Sequence, residues 1–199
     1  MLKYFQSLDE QWLLRINGAH TPTLDVIMWY LSQIWVWVPF YLLIIIVLAL
    51  KFRWKALPLV LLIFPLIVCS DQLASGLFKN YFQRLRPSHE PHLEHLLHFV
   101  NDYHGGTCGF VSSHALNVFA LSFYLLFTAG RRIKGLLVVL FVWATAVTYS
   151  RVYLGVHYPS DVLVPLVLSI PLAYGFSKLY AFILAKYYNE KQPFPFKNF

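Results

Sequence analysis

The chain has 199 residues, of which 58% are hydrophobic, 18% aromatic and only 13% charged. This length suits one domain, and this apolar content excludes an ordinary soluble protein. The formal net charge of +7 does not indicate a nucleic-acid partner, because the basic residues lie mostly in short clusters between apolar runs. We therefore expect a single domain over residues 1–199 that is embedded in a bilayer and contacts anionic lipid.

The first 32 residues mix apolar and charged side chains at helical spacing. One helical face carries the apolar residues Leu2, Phe5, Leu8, Trp12 and Ile16, whereas the rest of the helix carries Lys3, Asp9, Glu10 and Arg15. This pattern is typical of a helix that lies in the membrane interface. The pair Thr21-Pro22 predicts the start of a second short helix that runs through Asp25 to Ser32. We expect both amphipathic helices of residues 1–32 to be interfacial.

Five apolar runs follow, and each can cross the bilayer as a helix if it extends into its polar flanks. The runs cover residues 34–50, 56–70, 115–130, 135–150 and 162–177. A sixth crossing would have to come from the N-terminal segment. The prediction is therefore an all-α, polytopic membrane bundle over residues 33–188 with five to six transmembrane helices, followed by a cytoplasmic tail over residues 189–199.

Short basic clusters indicate which loops face the cytoplasm. These clusters are Lys51, Arg53 and Lys55, then Arg131, Arg132 and Lys134, and finally Lys186, Lys191 and Lys197. Positive charge favours the cytoplasmic side of a membrane protein. With five crossings, the long segment 81–111 and the turn near His157 then share the outer face.

Polar residues gather at the predicted ends of the apolar helices, where ionisable groups are costly unless they have a function. Lys79 is followed seven residues later by Arg86, two helical turns away, so both cations can share one face. Ser112, Ser113 and His114 immediately precede an apolar helix. The unpaired N–H groups at such a helix start form a ready site for an anion.

The last polar cluster joins Ser150 and Arg151 to His157 and, four residues later, Asp161. Arginine supplies forked donors for phosphate oxygens, and a carboxylate one turn from a histidine can make the free ring nitrogen more nucleophilic. Taken singly, each cluster also fits ordinary anchoring or helix capping. Their predicted gathering at one membrane face favours a functional site.

Together the clusters resemble the signature of the type 2 phosphatidic acid phosphatase (PAP2) superfamily, which reads K-x6-R-P, P-S-G-H and S-R-x5-H-x3-D. Order and spacing agree, but Val111 and Ser113 replace the proline and glycine of the middle motif. The resemblance implies a membrane lipid phosphatase in which His157 attacks phosphorus, Asp161 orients the imidazole and His114 protonates the leaving oxygen. The departure at Ser113 puts the substrate preference in question.

The resemblance also implies how the phosphate is held and where the enzyme works. The phosphate oxygens would be bound by Lys79, Arg86, Ser112, Ser113 and Arg151, with Ser150 in support. No metal or other cofactor is implied. The active site is expected on the outer, periplasmic face of a bacterial inner membrane. Undecaprenyl diphosphate is the first expectation for the lipid phosphate substrate, while phosphatidylglycerol phosphate, lipid A and phosphatidic acid stay open.

Two other functions would use the same residues. A vanadate-dependent haloperoxidase shares these motifs, but the known members are soluble and five crossings disfavour this class. A non-enzymatic binder or transporter of anionic lipids explains the three cations but not the pairing of His157 with Asp161. The outer loop also carries His89, His92, His95, His98 and His104, which predict either a polar lid or a zinc site.

Overall fold

The computed structural model describes residues 2–130 and 132–188, with side chains from Tyr4 onward. The predicted tail at 189–199 and the basic residue Arg131 lie outside the described residues. Regular structure in the described ranges is helical, apart from an isolated bridge between Leu85 and Cys108. The predicted all-α fold is confirmed.

The described chain contains nine α-helices together with 3-10 and π-helical segments. The N-terminal helices are α1 (Leu2–Gly18) and α2 (Pro22–Ser32). After a 3-10 turn at Ile34–Trp37 come α3 (Val38–Phe52), α4 (Ala56–Leu61) and α5 (Ile63–Asp71), then a π-helical segment (Gln72–Phe78) and α6 (Lys79–Phe82). A long loop leads to α7 (Ser113–Ala129), α8 (Leu136–Tyr153) and α9 (Pro159–Tyr187).

Three stretches of the described chain are long and apolar enough to cross a membrane, namely Ile34–Phe82, Leu136–Tyr153 and Pro159–Tyr187. The first has 49 residues and would be roughly 74 Å long if straight, more than twice the ~30 Å hydrocarbon core. Arg53, with a φ of 53°, interrupts it and separates α3 from α4. If the first stretch crosses once on each side of Arg53, the three stretches and the shorter apolar helix α7 are compatible with the five predicted crossings.

The N-terminal helices agree only in part with the sequence analysis. Helix α2 has the predicted bounds, and the Thr21 side chain caps it by accepting a hydrogen bond from the Leu24 N–H at 3.2 Å. In α1, however, Phe5 and Trp12 are exposed, whereas Asp9 is only 10% exposed. The charged side of α1 was expected to face water. At Asp9 it packs against the bundle instead, because partners for the Asp9 carboxylate lie there.

Helix α7 lies at the centre of the bundle and packs against α5, α8 and α9. Its buried Tyr124 donates a hydrogen bond to the Leu59 carbonyl at 3.0 Å, which satisfies a hydroxyl that lipid could not. At the start of α7, the Ser112 N–H donates to the Asp161 carbonyl at 2.8 Å. The beginnings of α7 and α9 are thereby fixed side by side.

The described basic turns lie at the other end of the molecule. The Tyr188 hydroxyl, just after α9, donates to the Trp54 carbonyl at 3.3 Å, and the Arg132 guanidinium lies 5.1 Å from the centre of the Phe52 ring. Helix α9 has 29 residues and is therefore about 44 Å long. The two basic turns and the start of α9 are thus at opposite ends of the bundle, as the predicted topology requires.

Candidate active site

The three polar clusters meet where α7 and α9 begin and α8 ends. His157 lies in the turn between α8 and α9, and its side chain is 1% exposed. Lys79, Arg86 and Arg151 lie within electrostatic range of both His157 and His114. The structure therefore brings together the two histidines and three cations that the sequence singled out.

His157 and Asp161 form a buried pair. Nδ1 of His157 lies 3.5 Å from Oδ2 of Asp161 but has no hydrogen-bond partner among the described residues. Oδ2 of Asp161 accepts the Tyr158 N–H at 3.1 Å. Burial first, and then the positive charges of Arg86, Arg151 and Lys79, hold the pKa of His157 well below its ordinary value. The imidazole is therefore neutral at neutral pH and carries a lone pair that can attack an electrophile.

Arg151 and Arg86 are buried guanidinium groups that keep unpaired donors. Arg151 is 2% exposed, and its Nη1 and Nη2 donate to the hydroxyls of Ser32 and Tyr103 at 3.0 and 3.1 Å. Arg86 donates through Nε to the Cys108 carbonyl at 3.2 Å. Among the described groups, Nε of Arg151 and Nη1 of Arg86 have no acceptor. Buried charged donors are costly when unpaired, so they suit an anionic ligand.

The start of α7 places two serines beside these cations. The buried Ser112 hydroxyl caps the helix by accepting the Ala115 N–H at 3.4 Å. The Ser113 hydroxyl accepts a hydrogen bond from Nζ of Lys79 at 2.9 Å and lies 3.0 Å from the Ser75 hydroxyl. The serine that replaces the glycine of the middle motif is thus a direct partner of Lys79.

Ser150 differs from its predicted supporting place. Its hydroxyl donates to the Val147 carbonyl at 2.7 Å within α8. A serine in an apolar helix often satisfies its hydroxyl in this way, on the carbonyl of the preceding turn. The described contacts of Ser150 therefore do not reach the anion site.

Sequence reasoning missed Arg84, which contacts Asp161 directly. Nη1 of Arg84 donates to Oδ1 of Asp161 at 2.8 Å, and Nη2 donates to Oδ2 of Asp9 at 2.8 Å. The Ser160 N–H donates to the other oxygen of Asp9 at 2.8 Å. The position of Arg84, two residues before Arg86, could have indicated a further cation at the site. No feature of the sequence indicated that the distant Asp9 would lie beside it.

Two glycines of the outer loop lie against Arg86. Gly105 has a φ of 68°, and a Cβ at this position would lie 2.5 Å from Nη1 of Arg86. A Cβ at Gly109 would lie 3.0 Å from Oδ2 of Asp161. The backbone of this loop therefore approaches the site too closely for side chains and limits where the Arg86 guanidinium can lie.

An apolar cavity of about 400 Å³ lies beside His114. Side chains from the N-terminal end of the bundle and from α3, α5, α7 and α8 line it, including Trp37, Tyr41, Ile44, Ile67, Leu121 and Val147. Asp71 and Asn117 add polar groups to the wall, and Oδ1 of Asn117 is buried without a hydrogen-bond partner among the described residues. Such a space next to an anion site fits the apolar part of a lipid phosphate.

One group of potential metal ligands among the described residues consists of His20, Asp25 and His98. Their donor atoms lie within 4.8 Å of one another. Nε2 of His98 is 2.9 Å from Oδ2 of Asp25, and the Tyr153 hydroxyl donates to Oδ1 at 2.7 Å. The two imidazoles are stacked, however, with ring centroids 3.8 Å apart and planes 13° apart. Lone pairs in nearly parallel planes do not converge on one ion, so this arrangement fits a hydrogen-bonded cluster that ties the outer loop to α2.

Comparison with known proteins gives consistent matches. The family model of the PAP2 superfamily matches residues 60–185. A lipid A 4'-phosphatase from Bacteroides thetaiotaomicron is 37% identical over 165 residues, which cover 82% of this chain and 72% of that protein. A lipid A 4'-phosphatase from Porphyromonas gingivalis is 29% identical over 195 residues, which cover 96% of this chain and 81% of that protein.

Two solved structures resemble the fold. The crystal structure of Aquifex aeolicus LpxE matches with a TM-score of 0.61 and 26% identity, covering 84% of this chain and 93% of that one. A PAP2 type phosphatidylglycerolphosphate phosphatase from Bacillus subtilis matches with a TM-score of 0.62 and 22% identity, covering 92% of this chain and 89% of that one. The second likeness concerns the fold alone.

Proposed function

The chain belongs to the PAP2 superfamily and is a membrane lipid phosphatase, and on this premise we propose that it removes the 4'-phosphate of lipid A. The observation that carries this proposal is the 37% identity, over 82% of the chain, with a relative named lipid A 4'-phosphatase. A second relative with the same name aligns over 96% of the chain. The comparisons do not confirm undecaprenyl diphosphate, the first expectation from the sequence.

In the proposed reaction, Nε2 of His157 attacks phosphorus in line with the lipid oxygen. A bond from nitrogen to phosphorus forms while the bond from phosphorus to the lipid oxygen breaks, and His114 gives this oxygen its proton. The negative charge of the arriving phosphate favours the protonated form of His114 that this step needs. Asp161 stabilises the positive charge that His157 acquires.

Water completes the cycle. His114, now neutral, takes a proton from a water molecule that attacks the phosphohistidine. The bond from nitrogen to phosphorus breaks, inorganic phosphate leaves, and His157 returns to its neutral form. The buried position of the pair formed by His157 and Asp161 supports this scheme, because a dry site strengthens the electrostatic contacts that orient the nucleophile.

Fixed cations would stabilise the transferring phosphoryl group. Unpaired donors on Arg86 and Arg151, together with Lys79, support a binding site for its oxygens. The N–H group of Ser113 at the start of α7 adds a donor that suits the same anion. These groups would do the electrostatic work that a pair of magnesium ions does in other phosphatases.

The apolar cavity beside His114 supports a lipid as the carrier of the phosphate. An acyl chain there would keep its apolar surface out of water while the headgroup reaches the cations. The basic turns at the opposite end of the bundle support an active site on the outer face of the bacterial inner membrane.

A phosphate-release assay on detergent-solubilised protein tests the proposal. The panel would contain lipid A, undecaprenyl diphosphate, phosphatidylglycerol phosphate and phosphatidic acid, with mass spectrometry to locate the phosphate that remains on lipid A. We expect the highest kcat/KM for lipid A and loss of its 4'-phosphate. A higher kcat/KM for undecaprenyl diphosphate would overturn the assignment of the substrate.

Variants test the residues. His114→Ala is expected to lower kcat roughly a hundredfold or more, because a general acid typically contributes that much, and His157→Ala is expected to lower it further. His95→Ala is the matched control, since this histidine is exposed on the outer loop. Equal phosphate release by the wild type and all three variants would contradict the proposed chemistry.

A further inference from the structure

Arg84 links two carboxylates that come from distant parts of the chain. One arm of its guanidinium binds Asp161 and the other binds Asp9, each at 2.8 Å. Asp161 is fully buried and Arg84 is 27% exposed, so both contacts are shielded from water in large part. A charge-assisted pair in such surroundings fixes geometry more firmly than a surface pair does.

Asp9 also holds the first turn of α9. Pro159 is the first residue of this helix, so Ser160 carries the first free N–H, and that group donates to Oδ1 of Asp9 at 2.8 Å. The Ser160 hydroxyl donates to Oδ2 of the same carboxylate. A negative charge at a helix start satisfies unpaired N–H groups and interacts favourably with the helix dipole.

We infer that Asp9 is a positioning residue of the phosphatase, which holds Arg84 and the first turn of α9 so that Asp161 faces His157. The inference rests on the proposed roles of Asp161 and His157. Asp9 belongs to α1, which lies outside residues 60–185 that match the superfamily. An N-terminal helix outside the matched region thus completes the catalytic machinery.

The charge of Asp9 has an electrostatic consequence for the reaction. With Asp9 present, the positive charge of Arg84 is shared between two carboxylates. Without it, Arg84 would neutralise Asp161 alone and weaken the support that Asp161 gives to the positive His157 in the transition state. Removing the charge should therefore lower kcat while KM changes little, because the phosphate-binding cations are untouched.

The test compares Asp9→Asn with Glu10→Gln, a neighbour whose carboxylate contacts the exposed His92 at 3.3 Å. We expect Asp9→Asn to lower kcat about tenfold to a hundredfold, because small misplacements of a catalytic group have effects of this size. The acid limb of its pH profile should move to lower pH, since less negative charge surrounds His157. Glu10→Gln should match the wild type in both measurements, and Asp9→Glu should recover part of the lost kcat.

The outcomes separate this inference from the proposed function. A wild type that releases no phosphate from any lipid would refute the proposed function, and the inference with it. An active wild type with equal kcat and equal pH profiles for Asp9→Asn and Glu10→Gln would overturn the inference alone. A fall in melting temperature with unchanged kcat would assign Asp9 a purely structural role and also overturn it. If Asp9→Asn does not fold, Ser160→Ala removes one contact of Asp9, and an unchanged kcat in that variant would refute the positioning role.

Discussion

The substitution Gly105→Ala tests whether the outer loop sets the position of Arg86. The added Cβ would lie 2.5 Å from Nη1 of Arg86, whereas unstrained contacts between such atoms are about 3.5 Å, so the guanidinium must retreat by about 1 Å. A displacement of this size near the reacting atoms costs on the order of a hundredfold in rate. The positive φ of 68° at Gly105 adds about 1–2 kcal/mol of backbone strain.

The assay is the release of inorganic phosphate by solubilised protein, with kcat and KM determined separately and thermal unfolding followed in parallel. Gly106→Ala is the matched control, because a Cβ at this position meets no atom within 4 Å. We expect Gly105→Ala to lose about a hundredfold in kcat/KM and Gly106→Ala to keep nearly all of it. If Gly105→Ala has wild-type kinetics, catalysis does not depend on the position in which the loop holds the Arg86 guanidinium, and the prediction is refuted.

Four further outcomes are expected. Asp161→Asn should lower kcat by roughly 10⁴-fold, as the same change does in other histidine–aspartate pairs, and a near-normal rate of phosphate release would contradict its role. Ile67→Phe should fill part of the cavity beside His114 and raise KM for lipid A, without changing kcat/KM for a short soluble phosphate ester. Because the folded pKa of His157 lies below the ordinary 6.5, the unfolded chain binds the extra proton and the folded state loses stability as the pH falls through 6.5. The melting temperature of His157→Gln should therefore fall less than that of the wild type between pH 7 and pH 5, and equal decreases would refute this. EDTA should leave phosphate release unchanged, whereas a loss that zinc restores would contradict fixed cations as the source of catalysis.

Short-range spacing explains which site positions could be predicted. The spacing within the motifs singled out Lys79, Arg86, His157 and Asp161, but the expectation that Lys79 and Arg86 share one helical face is wrong. Helix α6 ends at Phe82 and Gln83 has a φ of 46°, so Arg86 lies in the loop, and His157 lies in the turn before α9. The bounds of α2 follow likewise from Thr21 and Pro22, which cap and start a helix by local chemistry.

Contacts between distant segments could not be predicted in this way. Asp9 and Arg84 are 75 residues apart, and a charged residue on an amphipathic helix is normally expected to face water. The π-helical segment before Lys79 and the bond from Lys79 to Ser113 likewise depend on the packing of the π-helical segment and α6 beside α7. The supporting role of Ser150 stays a prediction, since the described hydrogen bond of its hydroxyl lies within α8.

Asp161 comes from α9, the last of the described helices, and this order has a consequence for incomplete chains. A nascent chain that has inserted α1 to α8 already carries every cation of the anion site, yet it lacks the carboxylate that α9 brings. Under the proposed mechanism, we therefore expect a chain truncated before α9 to bind phosphate without hydrolysing a lipid phosphate.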